Sequence, residues 1–184
     1  MRRARALAAC SAAFCALLLW SAAAQPDAPP EPDGYRMEGY RSRVPATLRG
    51  ATVLDTVAAL ALWKQGSSVF VDVLPRVSKP PNLPAGTVWR DPRHESLPGA
   101  IWLPNTGYGV LSADADAYFR RGLEKASKEN PDVQLVFFCQ RDCWMSWNAA
   151  KRALAYGYRN VAWFPDGTDG WSEAGLPLRP IEPE

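Results

Sequence analysis

The sequence predicts a three-layer α/β domain with a mainly parallel sheet flanked by helices. The segment 133–138, VQLVFF, is a nearly continuous apolar run, which is typical of a strand buried on both faces of a parallel sheet. From Ser146 to Leu154 apolar residues recur at helical spacing, so strand, short loop and helix follow one another. The same alternation of strands and helices extends along the rest of the chain.

The domain around this segment is expected to span residues 50–178, after a Pro-rich arm at 25–49 and before a C-terminal tail at 179–184. The arm is rich in proline at its start and shows no apolar periodicity. A capping-box-like pattern at Thr52 predicts the start of the first helix, and Gly66 predicts its end.

A short apolar strand over Val69–Val73 follows the first helix, and its Asp72 needs a partner if it is buried. The connection over 74–98 is rich in proline and has no sustained period, which is typical either of a functional or partner-facing loop or of an ordinary insertion. A turn then leads into a brief strand near Ile101.

The elements around the central segment complete the alternation. Ser112 predicts the cap of a helix that ends before Pro131, directly ahead of the central strand. Beyond the central helix, Val161–Phe164 is the last predicted strand, and a short helix is predicted near Gly170–Ala174.

The first 24 residues have the pattern of a signal peptide. Three arginines lie within the first five residues, residues 6–20 are apolar, and Ala22–Ala24 forms a small-residue cleavage pattern before Gln25. We therefore expect export to the periplasm and no stable membrane anchor after cleavage.

Removing this segment takes three of the 21 Lys and Arg residues, which leaves 18 basic against 19 acidic residues and no basic patch. Nucleic acid is therefore not an expected partner.

The mature chain would keep two cysteines, Cys139 at the end of the central strand and Cys143 in the following loop. Ligands bind at this edge of open α/β sheets, because backbone N–H groups and a helix N-terminus point into it. We therefore expect Cys139 to be the more acidic and more nucleophilic thiol, helped by Arg141 and opposed by Asp142. The residues of the predicted anion-binding loop are Gln140, Arg141, Asp142, Trp144, Met145 and Ser146.

The two thiols together predict redox chemistry. If Cys139 carried a persulfide, Cys143 could attack it, release sulfide and leave a disulfide between the two residues. The Cα separation of roughly 4.4–6.8 Å that a disulfide needs is within reach of residues four apart in a curled loop. A static disulfide that braces the loop is the alternative, although so small a ring constrains little entropy. Both cysteines are therefore the predicted catalytic residues.

The same atoms permit a metal-binding interpretation. Cys139, Cys143 and the thioether of Met145 form a soft ligand set suited to Cu(I), so a metallochaperone-like copper protein is the alternative function. Structural zinc is not expected, since no second cysteine pair exists after cleavage. The sole histidine, His94, is expected to make a structural hydrogen bond, for which Asp72 is the candidate partner.

Several short motifs follow one another along the chain. They are Val71-Asp72-Val73, His94-x-x-Leu97-Pro98-Gly99-Ala100-Ile101-x-Leu103-Pro104, Val136-Phe137-Phe138-Cys139, Gly157-Tyr158-x-Asn160-Val161, Gly167-x-x-Gly170-Trp171 and Ala174-Gly175-Leu176-Pro177. Their order resembles a rhodanese-homology domain over about residues 50–178. Within that superfamily, the signal peptide together with the stretch from Cys139 to Asn148 is similar to the exported CXXCW-motif proteins associated with PQQ-dependent alcohol catabolism.

This resemblance implies that Cys139 corresponds to the sulfur-carrying cysteine of rhodaneses. The loop from Cys139 to Ser146 is one residue longer than the usual sulfurtransferase loop, and Trp144-Met145 replaces a basic residue often found there, which argues against simple thiosulfate sulfurtransferase activity. The predicted function is sulfur transfer or thiol–disulfide redox in the periplasm, accessory to PQQ-dependent alcohol oxidation. The expected partner is a periplasmic redox or quinoprotein-system protein, and no resident cofactor is expected.

Trp144 and Trp147 add a third alternative, a non-catalytic binding module. Their indoles, three residues apart at the start of the central helix, could form an aromatic surface for a partner or for a planar cofactor. Burial of at least one of them is the competing interpretation, and direct contact with PQQ is not expected.

Overall fold

The computed structural model describes residues 28–184. The predicted signal peptide, residues 1–24, and the first residues of the arm lie outside this part of the chain. Within residues 28–184, no helix combines the length and apolar character that a membrane crossing requires.

Eleven helices and strands follow the arm in the described chain. In order they are β1 (Thr52–Val53), α1 (Thr56–Gln65), β2 (Ser68–Asp72), β3 (His94–Ser96), β4 (Ile101–Trp102), α2 (Ala113–Ser127), β5 (Gln134–Phe138), α3 (Trp144–Ala155), β6 (Val161–Phe164), α4 (Gly167–Glu173) and β7 (Arg179–Ile181).

The main sheet has five strands in the order β1-β6-β5-β2-β4, and every neighbouring pair is parallel. Alternate residues of β5 enter two separate cores. Leu135 and Phe137 pack with residues of α2 and α3, whereas Val136 and Phe138 pack with residues of α1 and α4. The predicted three-layer α/β fold with a parallel sheet is therefore confirmed, and β5 is its fully covered central strand.

The start of the first helix differs from the prediction. Thr52 and Val53 form β1 and pair with β6, and the helix begins only at Thr56. Asp55 is the N-cap, and its side chain accepts the Ala58 N–H at 2.7 Å. Pairing along β6 overrides the capping pattern at Thr52, because an edge strand gains ladder hydrogen bonds that a cap residue does not.

The predicted Ser112 cap is confirmed, since its side chain accepts the Ala115 N–H at 3.2 Å.

Besides β1, two further short strands were not predicted from the sequence. β3 lies near the end of the long Pro-rich connection, and it pairs antiparallel with β7 in the C-terminal tail. Each strand has only three residues, so neither leaves a periodic signal. The tail also donates the Glu184 N–H to the Trp102 carbonyl at 3.0 Å, which fixes it beside β4.

The loop after β4 packs tightly against the first turn of α3. Asn148 donates a side-chain N–H to the Gly107 carbonyl at 2.9 Å. A Cβ at Gly107 would lie 2.3 Å from the Met145 carbonyl oxygen, so only glycine fits between the loop and the helix.

We expect Gly107→Ala to lower the free energy of unfolding by about 2 kcal/mol, because the new Cβ meets backbone atoms that cannot move aside alone. Gly34→Ala is the matched control, since no atom lies within 4 Å of a Cβ at that position. Guanidinium chloride denaturation of both variants measures the difference. Equal stabilities would contradict the tight packing of the loop.

Candidate functional site

Cys139 follows β5 directly, and its backbone is held by the first turn of α4. The Cys139 carbonyl accepts the Thr168 N–H at 2.9 Å and the Thr168 hydroxyl at 3.3 Å. Gly167 approaches so closely that a Cβ there would lie 2.2 Å from the Cys139 carbonyl oxygen. Gln140 forms an isolated antiparallel bridge with the same glycine. These contacts fix the point at which the cysteine loop leaves the sheet.

The loop then turns back so that the two thiols meet. Asp142 adopts a left-handed backbone conformation with φ of 54°, and Cys143 is the N-cap residue of α3. Cys139 and Cys143 are free thiols that lie together in one hydrophobic core, and they are only 1% and 2% exposed. Ser146 supports the turn by donating its hydroxyl to the Cys143 carbonyl at 3.1 Å. The structure therefore brings both predicted cysteines into one site.

The expected order of acidity is wrong. The Cys139 thiol, the backbone N–H of Met145 and the side chain of Arg41 all hydrogen-bond to Cys143, and together they lower its pKa to about 6 against the opposing effect of burial. Burial raises the pKa of Cys139 well above its usual value, and its hydrogen bond to Cys143 and the nearby Asp72 carboxylate act in the same direction. The reason is local geometry, because the N-cap residue of α3 is Cys143 and not Cys139.

The cation beside the thiols is also not the one expected. Arg141 donates two hydrogen bonds to Glu173, at 2.6 and 2.7 Å, and one to Asp166 at 3.2 Å. Its guanidinium is therefore directed to acidic residues around α4. Arg41, from the arm, hydrogen-bonds to Cys143 instead.

The two tryptophans at the start of α3 do not form an open aromatic wall. Trp144 and Trp147 are 2% and 0% exposed, and they pack edge to face. The Trp144 indole N–H lies 3.1 Å from the Ser42 hydroxyl and 3.0 Å from the Arg43 carbonyl, and the Trp147 indole donates to the Thr47 carbonyl at 3.1 Å. The protein's own arm covers the predicted partner surface. Residues of the arm also accept the hydrogen bond of each indole N–H.

The arm is held along α3 by further polar contacts. Asn148 accepts the Arg36 N–H and donates to the Arg36 carbonyl, each at 2.9 Å, as a neighbouring strand would. Trp144 donates its backbone N–H to the Tyr40 carbonyl at 2.9 Å. Lys151 donates to the Pro32 carbonyl at 3.1 Å. The Pro-rich arm, expected only to lack periodicity, is therefore a wall of the site.

A buried polar network lies beside Cys139. Asp72, at the end of β2, is fully buried and accepts hydrogen bonds from the Ser96 hydroxyl at 2.6 Å and from the Leu74 N–H at 2.8 Å. His94 Nε2 lies 2.7 Å from the Asp72 carboxylate. The expectation that His94 makes a structural hydrogen bond to Asp72 is confirmed.

A cleft of about 550 Å³ opens next to the cysteine loop. Arg141 and Asp142 form one side, residues 43–46 of the arm form another, and Asp55 and Asp166 contribute acidic groups. A solvent-accessible cleft lined by basic and acidic side chains thus lies beside the two buried thiols.

The metal alternative gains no further ligands from the fold. Among residues 28–184, no three or more His, Cys, Asp and Glu side chains cluster in a way that could hold a metal ion. Met145 is 1% exposed and belongs to the same hydrophobic core as both cysteines. Copper binding by Cys139, Cys143 and Met145 stays a prediction.

Comparison with known proteins assigns the family. A profile described as Rhodanese-like domain matches residues 57–174, which is more than half of the chain. The protein therefore belongs to the rhodanese-like domain family. No curated protein matches the sequence.

Several solved structures share the fold at low identity. A complex of EanB with hercynine is 19% identical, with a TM-score of 0.51 over 77% of this chain and 34% of that chain. Thiosulfate sulfurtransferase from Pseudomonas aeruginosa is 18% identical, with a TM-score of 0.49 over 74% of this chain and 21% of that chain. The human single-domain sulfurtransferase is 23% identical, with a TM-score of 0.40 over 67% and 96%. This chain thus spans about a fifth of the Pseudomonas enzyme.

Sequence reasoning missed three residues of the site, namely Arg41, Asn148 and Thr168. Arg41 and Asn148 act across the contact between the arm and α3, which joins residues about a hundred positions apart. Only the proximity of Asn148 to the cysteines in sequence could have drawn attention to it. Thr168 donates its backbone N–H and its hydroxyl to the Cys139 carbonyl from 29 positions further along the chain, so no local pattern marks it.

We expect one thiolate to form with a midpoint near pH 6, so that Cys143 is protonated below this pH and ionised above it. Cys139→Ala should raise this midpoint by about one pH unit, because the hydrogen bond from the Cys139 thiol is lost. Cys139→Ser is the matched control, since its hydroxyl can still donate. Thiolate ultraviolet absorbance measures the midpoint, and equal midpoints in the two variants would contradict the assigned role of Cys139.

Proposed function

We propose that this protein handles sulfane sulfur through Cys143 and Cys139, which accept a sulfur atom and release it as sulfide. The observation that carries the proposal is the contact between two free thiols at the end of β5, of which Cys143 has a pKa of about 6. A thiolate is the nucleophile in sulfur transfer, so a thiol ionised at neutral pH can react without a separate base.

In the first step, the Cys143 thiolate attacks the outer sulfur of a persulfide donor, RS–SH. A sulfur–sulfur bond forms at Cys143, the donor's sulfur–sulfur bond breaks, and RS⁻ leaves. The protein then carries a persulfide, Cys143–S–SH. The number of sulfur–sulfur bonds and the net charge are unchanged.

In the second step, Cys139 gives up its proton to solvent water and attacks the inner sulfur of the Cys143 persulfide. HS⁻ leaves, and a disulfide joins the two residues. The sulfane sulfur is reduced to sulfide while the two cysteines are oxidised together by two electrons. A dithiol of a partner protein would reduce the disulfide and return the site to its starting state.

This order reverses the roles expected from the sequence, in which Cys139 accepts the sulfur. Two features support the reversal. Cys143 is the N-cap of α3 and has the Cys139 thiol, the Met145 N–H and Arg41 beside it, which together outweigh burial and lower its pKa, whereas burial is the largest effect on Cys139 and raises its pKa. Cys139 lies beside Cys143, so it is positioned to attack that sulfur once it carries a persulfide.

The sulfur chemistry is proposed for this chain from its own thiols. Proteins of the same fold include the sulfurtransferases named above and an EanB structure described with a cysteine persulfide, at 18% identity and a TM-score of 0.50. At this level of identity the likeness concerns the fold, so the reaction class enters here as part of the proposal.

The compartment and the partner belong to the same proposal. The basic and apolar pattern of residues 1–24 supports export to the periplasm, where thiol pairs are exchanged with redox partners. The stretch from Cys139 to Asn148 resembles the CXXCW-motif proteins, which supports a partner from a PQQ-dependent alcohol oxidation system.

The function is tested by treating the reduced protein with polysulfide and following its intact mass, with peptide mapping to locate the change. We expect the unsubstituted protein to lose two hydrogen atoms and release sulfide, and Cys139→Ser to gain one sulfur atom on Cys143. Cys143→Ser should load at least about 30-fold more slowly at neutral pH, because a thiol with an ordinary pKa is only about 3% ionised there and burial raises the pKa of Cys139 further.

Cys139→Ser/Cys143→Ser is the control and should gain no sulfur within residues 28–184. Sulfur transfer is excluded if the unsubstituted protein gains no sulfur and forms no disulfide, and if the two single variants and the double variant show the same unchanged mass. A binding function without chemistry at the thiols would then replace it.

A further inference from the structure

We propose that the described part of the arm, residues 28–49, is a functional part of the thiol site and that Arg41 holds Cys143 in its reactive, ionised form. The inference deepens the proposed function, since the thiolate concerned is the one that would accept sulfur. It assigns a role to a segment that lies outside the match to the rhodanese-like domain at 57–174.

The first argument is backbone geometry. Arg41 forms an isolated antiparallel bridge with Cys143, and the adjacent Trp144 donates its N–H to the Tyr40 carbonyl at 2.9 Å. Residues directly opposite each other in an antiparallel bridge project their side chains to the same side. The bridge therefore places the Arg41 side chain on the same side as the Cys143 thiol, whose pKa it lowers.

The second argument is that the arm is fixed on both sides of Arg41. Before it, the Arg36 backbone makes two hydrogen bonds with the Asn148 side chain, each at 2.9 Å. After it, the Trp147 indole donates to the Thr47 carbonyl at 3.1 Å. These contacts restrict the movement of the intervening backbone, so the guanidinium is preorganised beside the sulfur.

The third argument concerns the other charged groups near the thiols. Asp72 acts on Cys139 from the end of β2, and Asp142 precedes Cys143 in the loop. Arg141, the cation within the loop, is engaged by Asp166 and Glu173. A buried anion requires hydrogen bonds or an opposite charge, and Arg41 supplies both to Cys143.

Arg41 is itself exposed to solvent, whereas Cys143 is 2% exposed. The side chain therefore lies between the covered sulfur and the solution. Substitution at an exposed position removes little packing, so the effect of Arg41 on ionisation can be separated from any effect on folding.

The test is a titration of thiolate absorbance in the reduced protein. The part of the absorbance that Cys143→Ser abolishes is assigned to Cys143, and its midpoint is compared between variants. Arg41→Gln should raise the midpoint by about one pH unit, because a positive charge near the sulfur is lost. Arg41→Lys should restore most of the shift, since it keeps the charge. Arg121→Gln, an exposed arginine on α2, is the matched control and should leave the midpoint unchanged.

Thermal denaturation of each variant checks that the fold is retained. A midpoint in Arg41→Gln equal to that of the unsubstituted protein overturns the inference, as does an equal rise in Arg41→Gln and Arg41→Lys. If Arg41→Gln does not fold, the Arg41→Lys midpoint decides, and a rise of one unit or more in that variant contradicts a role for the charge. Polysulfide loading of the same samples separates the two proposals, since absence of sulfur loading alone contradicts only the proposed function.

Discussion

The position of the two thiols depends on one close contact between the end of β5 and the start of α4. The Cys139 carbonyl accepts the Thr168 N–H at 2.9 Å, and Gly167 leaves no room for a side chain against that carbonyl. From this fixed point, the left-handed conformation of Asp142 turns the loop, so that Cys143 begins α3 beside Cys139. The thiol contact therefore follows from backbone constraints on either side of the loop and needs no covalent bond.

The arm explains how an ionised sulfur is tolerated in a covered site. Transfer of a charge out of water is costly unless hydrogen bonds or an opposite charge replace the lost solvation. Cys143 receives hydrogen bonds from the Cys139 thiol, the Met145 N–H and Arg41. The first two belong to the rhodanese-like domain, while Arg41 comes from the arm. The arm thus has an electrostatic role as well as a packing role.

Much of the fold could be predicted because its signals are local. The period change after β5 identified the strand, the loop and α3, and the need of a buried carboxylate for partners pointed to the contact of Asp72 with His94. The acidity order could not be predicted, since it depends on which cysteine the loop places at the helix start. Arg41 could not be predicted either, because its partner lies about a hundred residues away and the arm has no periodicity.

The hydrogen bonds to Cys143 also bear on the redox balance of the pair. They stabilise the dithiol in its ionised form, and a disulfide between the same two sulfurs carries no negative charge for Arg41 to bind. Stabilising the reduced form of a thiol pair raises its reduction potential and makes the corresponding disulfide a stronger oxidant. The arm therefore biases this site toward receiving electrons from a partner.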